Sequence, residues 1–267
     1  MRIGFSPCPN DTYIFAGLAL GKLGIGKRAE AVLEDVETLN RWALAGELPV
    51  TKISAAVLPK VSSEYVALRA GGAMGFGVGP LLVAREPIRD LAGRRVAHPG
   101  EHTTGRALLA MYAPEATPVE LRYDQIIAAV AAGEVEAGVL IHEGRFTYAA
   151  SGLVMLADLG QFWEGLTGLP LPLGLIVARR ELGQDRLLAL ESAIRESLSY
   201  SSEHLSEVWA YIQAHAQEMD PGVIRAHIDT YVNSFTADPG VAGQQAVAEF
   251  VARLHYPDSN PLFLAGG

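Results

Sequence analysis

Two apolar runs frame this chain. Pro80-Leu81-Leu82-Val83-Ala84-Arg85-Glu86 and Pro172-Leu173-Gly174-Leu175-Ile176-Val177-Ala178-Arg179-Arg180-Glu181 end in the same Ala-Arg step. Each is short and rich in branched residues, so each reads as a buried strand rather than a helix. Between them lies a self-contained alternation, with strands at 95–97, 119–122, 137–141 and 153–156 and helices at 104–112 and 123–132. Before the first run, strands at 2–5, 31–33, 49–57 and 65–69 are interspersed with helical spacing through Tyr13, Ile14 and Leu18 and through Leu39, Trp42 and Ala43. After the second run the chain turns helical, at 186–202, 206–217, 221–231 and 240–255. Alternating strands and helices argue an α/β class. The economical topology is two α/β lobes joined by two hinge strands, with an interlobe cleft. Residues 1–84 with 179–267 form the first lobe, and 85–178 form the inserted second. The alternative is one continuous doubly wound sheet. Finding the two runs side by side in a hinge decides for two lobes.

Charge and cysteine usage exclude several classes. The 267 residues carry 21 basic and 30 acidic side chains, a formal charge of −9. Nucleic-acid binders show the opposite balance, so DNA and RNA are set aside as partners. No apolar run approaches the roughly 18 residues of a membrane span, so no membrane insertion is expected. The N-terminal stretch is broken by Ser6, Pro7, Pro9, Asn10 and Asp11. That is not the build of an export signal, and the expectation is a cytoplasmic protein. Cys8 stands alone in the sequence, which rules out a disulfide scaffold.

Four places carry candidate chemistry. His142 follows the apolar strand 137–141 and precedes Glu143-Gly144-Arg145-Phe146-Thr147-Tyr148. An imidazole at a strand's carboxyl end can take or give a proton near neutral pH. It can equally satisfy a backbone carbonyl, and both readings stay open at this level. Pro99-Gly100-Glu101-His102-Thr103-Thr104-Gly105 runs directly into a helix. Unpaired N–H groups at such a start suit a carboxylate, while simple N-capping explains the threonines as well. If the start holds the substrate carboxylate, Gly105→Asp is expected to raise KM by repulsion. Lys52-Ile53-Ser54 ends a first-lobe strand, where Ser54 could donate a hydrogen bond and Lys52 could offset an anion's charge. An exposed lysine on a strand edge is the alternative. Finally, Ser6-Pro7-Cys8-Pro9-Asn10-Asp11 forces a loop at the end of the first strand, with Asn10 or Asp11 as the cap of the following helix. Cys8 reads as a small buried hydrophobe rather than a nucleophile.

A metal site is not expected. His98 and His102 flank Pro99-Gly100 and cannot share a helical face, and no Cys pair or His-Glu-x-x-His pattern occurs. His204, His215 and His227 fall on helices and are read as surface residues.

The stretches GFSPCPNDT, LEDVETLNRWA, LPVTKIS, HTTG, GEVEAGVLIHEGRFTY and TGLPLPLG occur in order over most of the chain. In these the chain resembles the 1,4-dihydroxy-6-naphthoate synthase family of the futalosine route to menaquinone. The resemblance implies a fold like the type II periplasmic binding proteins. It implies that His142 is the general base, that Lys52, Ile53, Ser54, Thr104 and Gly105 line the substrate site, and that no cofactor is needed. Thr103 joins them from the helix-start reading. The implied reaction converts cyclic dehypoxanthine futalosine, a small-molecule carboxylate, to 1,4-dihydroxy-6-naphthoate with release of dihydroxyacetone. Rival readings are chorismate dehydratase of the same pathway, a non-catalytic binder of the same fold, and a dimerisation module built on the helical C-terminal third. The sequence is silent on oligomeric state.

Overall fold

The computed structural model describes residues 1–23, 29–217, 220–256 and 260–265. The chain begins with β1 (Arg2–Phe5), α1 (Pro9–Ala19), β2 (Glu30–Leu33), α2 (Val36–Ala45), β3 (Val50–Ser54), α3 (Leu58–Val61), β4 (Tyr65–Ala67) and β5 (Ala73–Gly75). It continues through β6 (Leu81–Ala84), β7 (Arg95–His98), α4 (Thr104–Tyr112), β8 (Thr117–Glu120), α5 (Ile126–Ala132), β9 (Ala137–Leu140), α6 (Gly144–Thr147), β10 (Val154–Asp158) and α7 (Leu159–Thr167). It ends with β11 (Leu171–Arg179), α8 (Gln184–Glu203), α9 (Leu205–His215), α10 (Pro221–Tyr231), α11 (Ser234–Ala237) and α12 (Gly240–Arg253).

These elements form two compact units. Unit 1 is Met1–Gly75 with Pro172–Gly267, and unit 2 is Phe76–Leu171. Each has its own sheet, so the single continuous sheet is excluded. In unit 1 the strand order is β2-β1-β3-β11-β4, with β5 also on β11. The β1 strand runs parallel to β2 and β3, and β11 runs antiparallel to β3 and β4. In unit 2 the order is β10-β6-β9-β7-β8. Here β7 runs parallel to β8 and β9, and β6 runs antiparallel to β9 and β10.

The two echoed runs are both buried strands, but they lie in different sheets rather than side by side. Leu81–Ala84 pairs residue for residue with Leu140–Ala137, which places 76–84 in unit 2. Gly174–Ala178 pairs with Ser54–Val50, which places 172–178 in unit 1. The crossings therefore fall at 75/76 and 171/172 instead of 84/85 and 178/179. The strand that pairs with β11 where the chain first leaves unit 1 is β5, inside the glycine-rich stretch 71–79.

Local chemistry explains the elements that position the candidate residues. The α1 helix is buried from Pro9 to Leu18 because α8, α9 and α10 pack around it, so it carries no apolar stripe. Phe15 stacks on Phe5 of β1, with ring centroids 4.5 Å apart. The helix starts two or three residues earlier than Asn10 or Asp11 as a cap would require. Cys8 occupies the cap position and makes no side-chain cap, Pro9 supplies the first helical φ, and Asp11 lies inside the first turn. The α2 helix is capped by Asp35, whose carboxylate accepts from the N–H groups of Glu37 and Thr38, and it ends at Gly46 in the left-handed conformation. The C-terminal Leu262-Phe263-Leu264 docks on β4: Ala67 donates to the carbonyl of Leu262 and accepts from the N–H of Leu264. Among the described residues no helix is long and apolar enough to cross a membrane.

In unit 2, Gly79 and Gly160 bring two backbones into direct contact. A methyl at Gly79 would overlap the backbone N and Cα of Gly160, atoms that cannot rotate away. Gly79→Ala is therefore expected to lower the unfolding free energy by about 1–3 kcal/mol, the usual cost of overpacking. Gly165→Ala, with nothing within 4 Å, should raise it by about 0.4–1 kcal/mol through the unfolded chain. Thermal and denaturant melts of the two variants check the contrast.

Candidate functional site

The parallel pairing of β1 with β2 and β3 sends their carboxyl ends to one edge of the unit 1 sheet. That edge is where open α/β sheets present ligand-binding loops. Ser6, Asn10 and Asp11 follow β1, and Ser54 closes β3. Asp11 is 1% exposed and its carboxylate takes four hydrogen bonds. Oδ2 accepts from the N–H of Ser6 at 3.1 Å and from its hydroxyl at 2.8 Å. Oδ1 accepts from Asn10 Nδ2 at 3.0 Å and from Lys52 Nζ at 2.6 Å. Lys52 is itself buried, and Nζ also donates to the carbonyl of Gly71 at 3.5 Å. Lys52 is thus neither an exposed edge lysine nor a lone positive charge awaiting an anion. Its charge is met inside the protein, because an ammonium this deep needs a partner.

Alternation along β3 puts Lys52 and Ser54 on one face and Ile53 on the other. Ile53 is fully buried and pairs with Leu175, so its side chain packs in the core. Gly174 lies opposite Ser54, and a Cβ there would fall 2.8 Å from Lys52 Cε. The glycine makes room for the lysine stem. Ser54 is held by Asn40 of α2, a residue that sequence reasoning passed over. Asn40 Oδ1 accepts from the N–H of Ser54 at 2.8 Å, and Nδ2 donates to its Oγ at 3.0 Å.

The same construction recurs in unit 2. The carboxyl ends of β7, β8 and β9 share an edge because the three run parallel. Residues 99–103 follow β7, Tyr123 follows β8, and His142 follows β9. His142 is half-buried with its ring 5.1 Å from that of Tyr123, edge to face. Its φ is +53°, in the left-handed region that non-glycine residues rarely occupy. Such strain is held only where surroundings enforce it, and it concentrates at functional positions. Arg145, three residues on, anchors the segment that follows. Its guanidinium donates to the carbonyl of Gly79 and, at 3.3 Å, to Asp158, which also caps α7 through the N–H groups of Gly160 and Gln161. The arginine beside His142 therefore fastens the segment to its own unit.

Thr103 is the N-cap of α4. Its Oγ accepts from the N–H of Arg106 at 3.2 Å and donates to the carbonyl of Gly100 at 2.8 Å. Both functions of that hydroxyl are committed within the loop, as the capping reading requires. Thr104 and Gly105 open the helix and are buried. A Cβ at Gly105 would lie 3.2 Å from Val139 Cγ1 and 3.6 Å from Ile141 Cγ2 and Pro99 Cγ. A side chain there runs into the sheet, so Gly105→Asp would report on packing and not on repulsion of an anion.

No group of three or more His, Cys, Asp or Glu side chains among the described residues could hold a metal ion. Cys8 is buried and free of any disulfide. His204 is exposed and His215 partly so, but His227 is buried on α10, 4.6 Å from the ring of Tyr231. Helical position alone does not set which way a histidine faces.

Two predictions follow from these groups. Lys52→Met and Asp11→Ala each strand a buried charge and should each cost about 3–5 kcal/mol of stability. The double variant should lose less than the sum, as denaturant melts would show. His98, buried at the end of β7, has its pKa held below 6.5 by burial and then by the nearby Arg106 guanidinium. The unfolded chain therefore takes that proton first, and stability falls as pH drops below about 6.5 towards the folded pKa. His98→Phe should flatten this limb of the stability–pH profile.

A family model described as menaquinone biosynthesis matches residues 1–256. A 1,4-dihydroxy-6-naphthoate synthase from Thermus thermophilus is 55% identical over 269 residues, covering 99% of each chain. Another from Streptomyces coelicolor is 43% identical over 259 residues, covering 95% of this chain and 92% of that one. Among solved structures, protein AF1704 from Archaeoglobus fulgidus superposes with a TM-score of 0.91 at 36% identity, covering 95% of this chain and 96% of that one. The periplasmic aliphatic sulphonate binding protein SsuA from Escherichia coli reaches 0.64 at 15% identity, covering 100% and 94%, a likeness that shows the fold alone. With its two α/β units in the periplasmic-binding-protein fold, the chain belongs to the 1,4-dihydroxy-6-naphthoate synthase family of menaquinone biosynthesis.

Proposed function

We propose that the protein is a carbon–carbon lyase of the cytoplasm that converts cyclic dehypoxanthine futalosine to 1,4-dihydroxy-6-naphthoate and dihydroxyacetone. The observation that carries this reading is His142. It is held at φ +53° at the carboxyl edge of its sheet, in a chain 55% identical to a synthase of that name over nearly its whole length.

In this reading the imidazole is the general base and removes a proton from the sugar-derived part of the substrate. A retro-aldol-type break of a C–C bond follows, the three-carbon piece departs, and aromatisation of the new ring drives the sequence forward. In this reading Ser54, Thr104 and Gly105 are substrate-binding residues. Lys52 contributes by shape and by its stem, since its charge is matched by Asp11. Ile53 contributes through its backbone, and Thr103 by shaping the helix start. The scheme uses one base and oriented hydrogen bonds and calls on no metal or organic cofactor.

The test follows from the backbone as well as the ring. His142→Ala removes the imidazole but also puts alanine where the left-handed conformation is costly. Asparagine adopts that conformation readily. His142→Asn should therefore keep the fold and KM while kcat falls by about 10²–10⁴, the usual contribution of a general base. Mass spectrometry of the products from wild type should show the naphthoate and dihydroxyacetone. Substrate returned intact by wild type identifies a binder, and near-wild-type turnover by a folded His142→Asn variant removes His142 from the role of base.

A further inference from the structure

We propose that Asn40 is a positioning residue that turns the Ser54 hydroxyl into an obligate donor, aimed at an acceptor oxygen of the substrate. The inference rests on the functional reading above for the identity of the ligand. Its physical basis lies within unit 1.

The polarity is forced. A backbone N–H can only donate, so the atom of the Asn40 amide that faces the N–H of Ser54 at 2.8 Å must be the oxygen. The NH₂ group then faces Ser54 Oγ at 3.0 Å. An NH₂ group can only donate, so Oγ meets it with a lone pair. The single hydroxyl hydrogen of Ser54 cannot point at Asn40. Asn40 is fully buried and Ser54 is 3% exposed, so bulk water is not the general recipient of that hydrogen. Among the described residues no acceptor is placed on it either, since the contacts of Ser54 Oγ are accounted for by Asn40. The hydroxyl of Thr103, by contrast, gives its hydrogen to the carbonyl of Gly100 at 2.8 Å.

The Ser54 O–H is thus a buried donor whose direction is set by α2, at the carboxyl edge of its sheet. A buried donor left unmet is costly, and an acceptor on the ligand would relieve that cost. The position selects for a ligand oxygen that accepts, such as a carboxylate or carbonyl, and against one that can only donate.

Asn40→Asp reverses the polarity with little change of shape. The new carboxylate still accepts from the N–H of Ser54, but it offers Oγ an acceptor in place of a donor, and the hydroxyl hydrogen turns back onto it. The affinity for 1,4-dihydroxy-6-naphthoate, measured by calorimetric titration, and the KM for the cyclic substrate should both weaken by roughly 10- to 100-fold, the range for a hydrogen bond to a charged group. The change in kcat should be below about threefold. Ser54→Ala should weaken both constants to a similar degree. The double variant should be no worse than the worse single variant, because both act through one hydroxyl. A residue that only supports the fold would lower the melting temperature and leave binding and KM unmoved. Wild-type affinity in a folded Asn40→Asp variant overturns the proposal. So do effects that multiply in the double variant, which would mark repulsion by the new charge. Product analysis of wild type judges the lyase reading separately: a wild type that binds the naphthoate but turns over no substrate defeats that reading and leaves the binding cycle to decide the role of Asn40.

Discussion

The Asp11 carboxylate is the hub on which the first unit's candidate edge depends. It gathers the N–H and hydroxyl of Ser6, the amide of Asn10 and the ammonium of Lys52. Those partners come from the loop after β1, from the first turn of α1 and from the middle of β3. A carboxylate at 1% exposure is tolerable only with its lone pairs filled, and an ammonium as deep as that of Lys52 only with a counter-charge. The two ions justify each other and tie the loop to the strand. The α1 helix can then begin at Pro9 without a side-chain cap, because its start is fixed by the carboxylate one turn in.

Unit 2 solves the corresponding problem with an arginine. The segment that carries His142 leaves β9 in a conformation that costs energy for any residue with a Cβ. Three residues on, the guanidinium of Arg145 anchors the segment by reaching Asp158 and the carbonyl of Gly79. That reach is possible because Gly79 and Gly160 let two backbones touch at that point. Asp158 serves the arginine and the first turn of α7 at once. In both units an ion pair, buried in unit 1 and partly buried in unit 2, fixes the backbone on which less constrained polar groups sit.

Much of this was legible in the sequence, for reasons that differ by element. The α4 helix spans Thr104–Tyr112 as its spacing indicates, and α10 spans Pro221–Tyr231, because Pro and an acidic cap mark its start. The strands β1, β7 and β9 announce themselves as short apolar runs between turn residues. The α7 helix was passed over because Leu159–Thr167 opens on Leu-Gly-Gln, a weak helical signal that only its Asp158 cap rescues. The crossing at Gly75 was hidden in a glycine-rich stretch, where a three-residue strand has too little sequence to show a period. Asn40 was invisible for another reason. It stands one residue after Leu39 in an amphipathic helix, and nothing in its neighbours reveals that it faces Ser54, 14 positions on. His227 reads as a surface residue until α10 is seen to turn that face inward.

Among the described residues, the buried donors and acceptors divide into groups that build a site and groups able to recognise a ligand. Asp11, Lys52 and Thr103 hold their polar partners within the chain, so their chemistry is spent on architecture. Motif position alone would rank Lys52 with Ser54, since they share a strand face and lie two residues apart. The hydrogen bonds rank them differently: the charge of Lys52 is already matched, whereas the hydrogen of Ser54 is turned away from Asn40. In the proposed reading, a ligand at such an edge meets groups whose directions are set by the scaffold. Selectivity then comes from whether the ligand's oxygens satisfy those directions, because a mismatch leaves a buried donor unpaired while a match restores the bond.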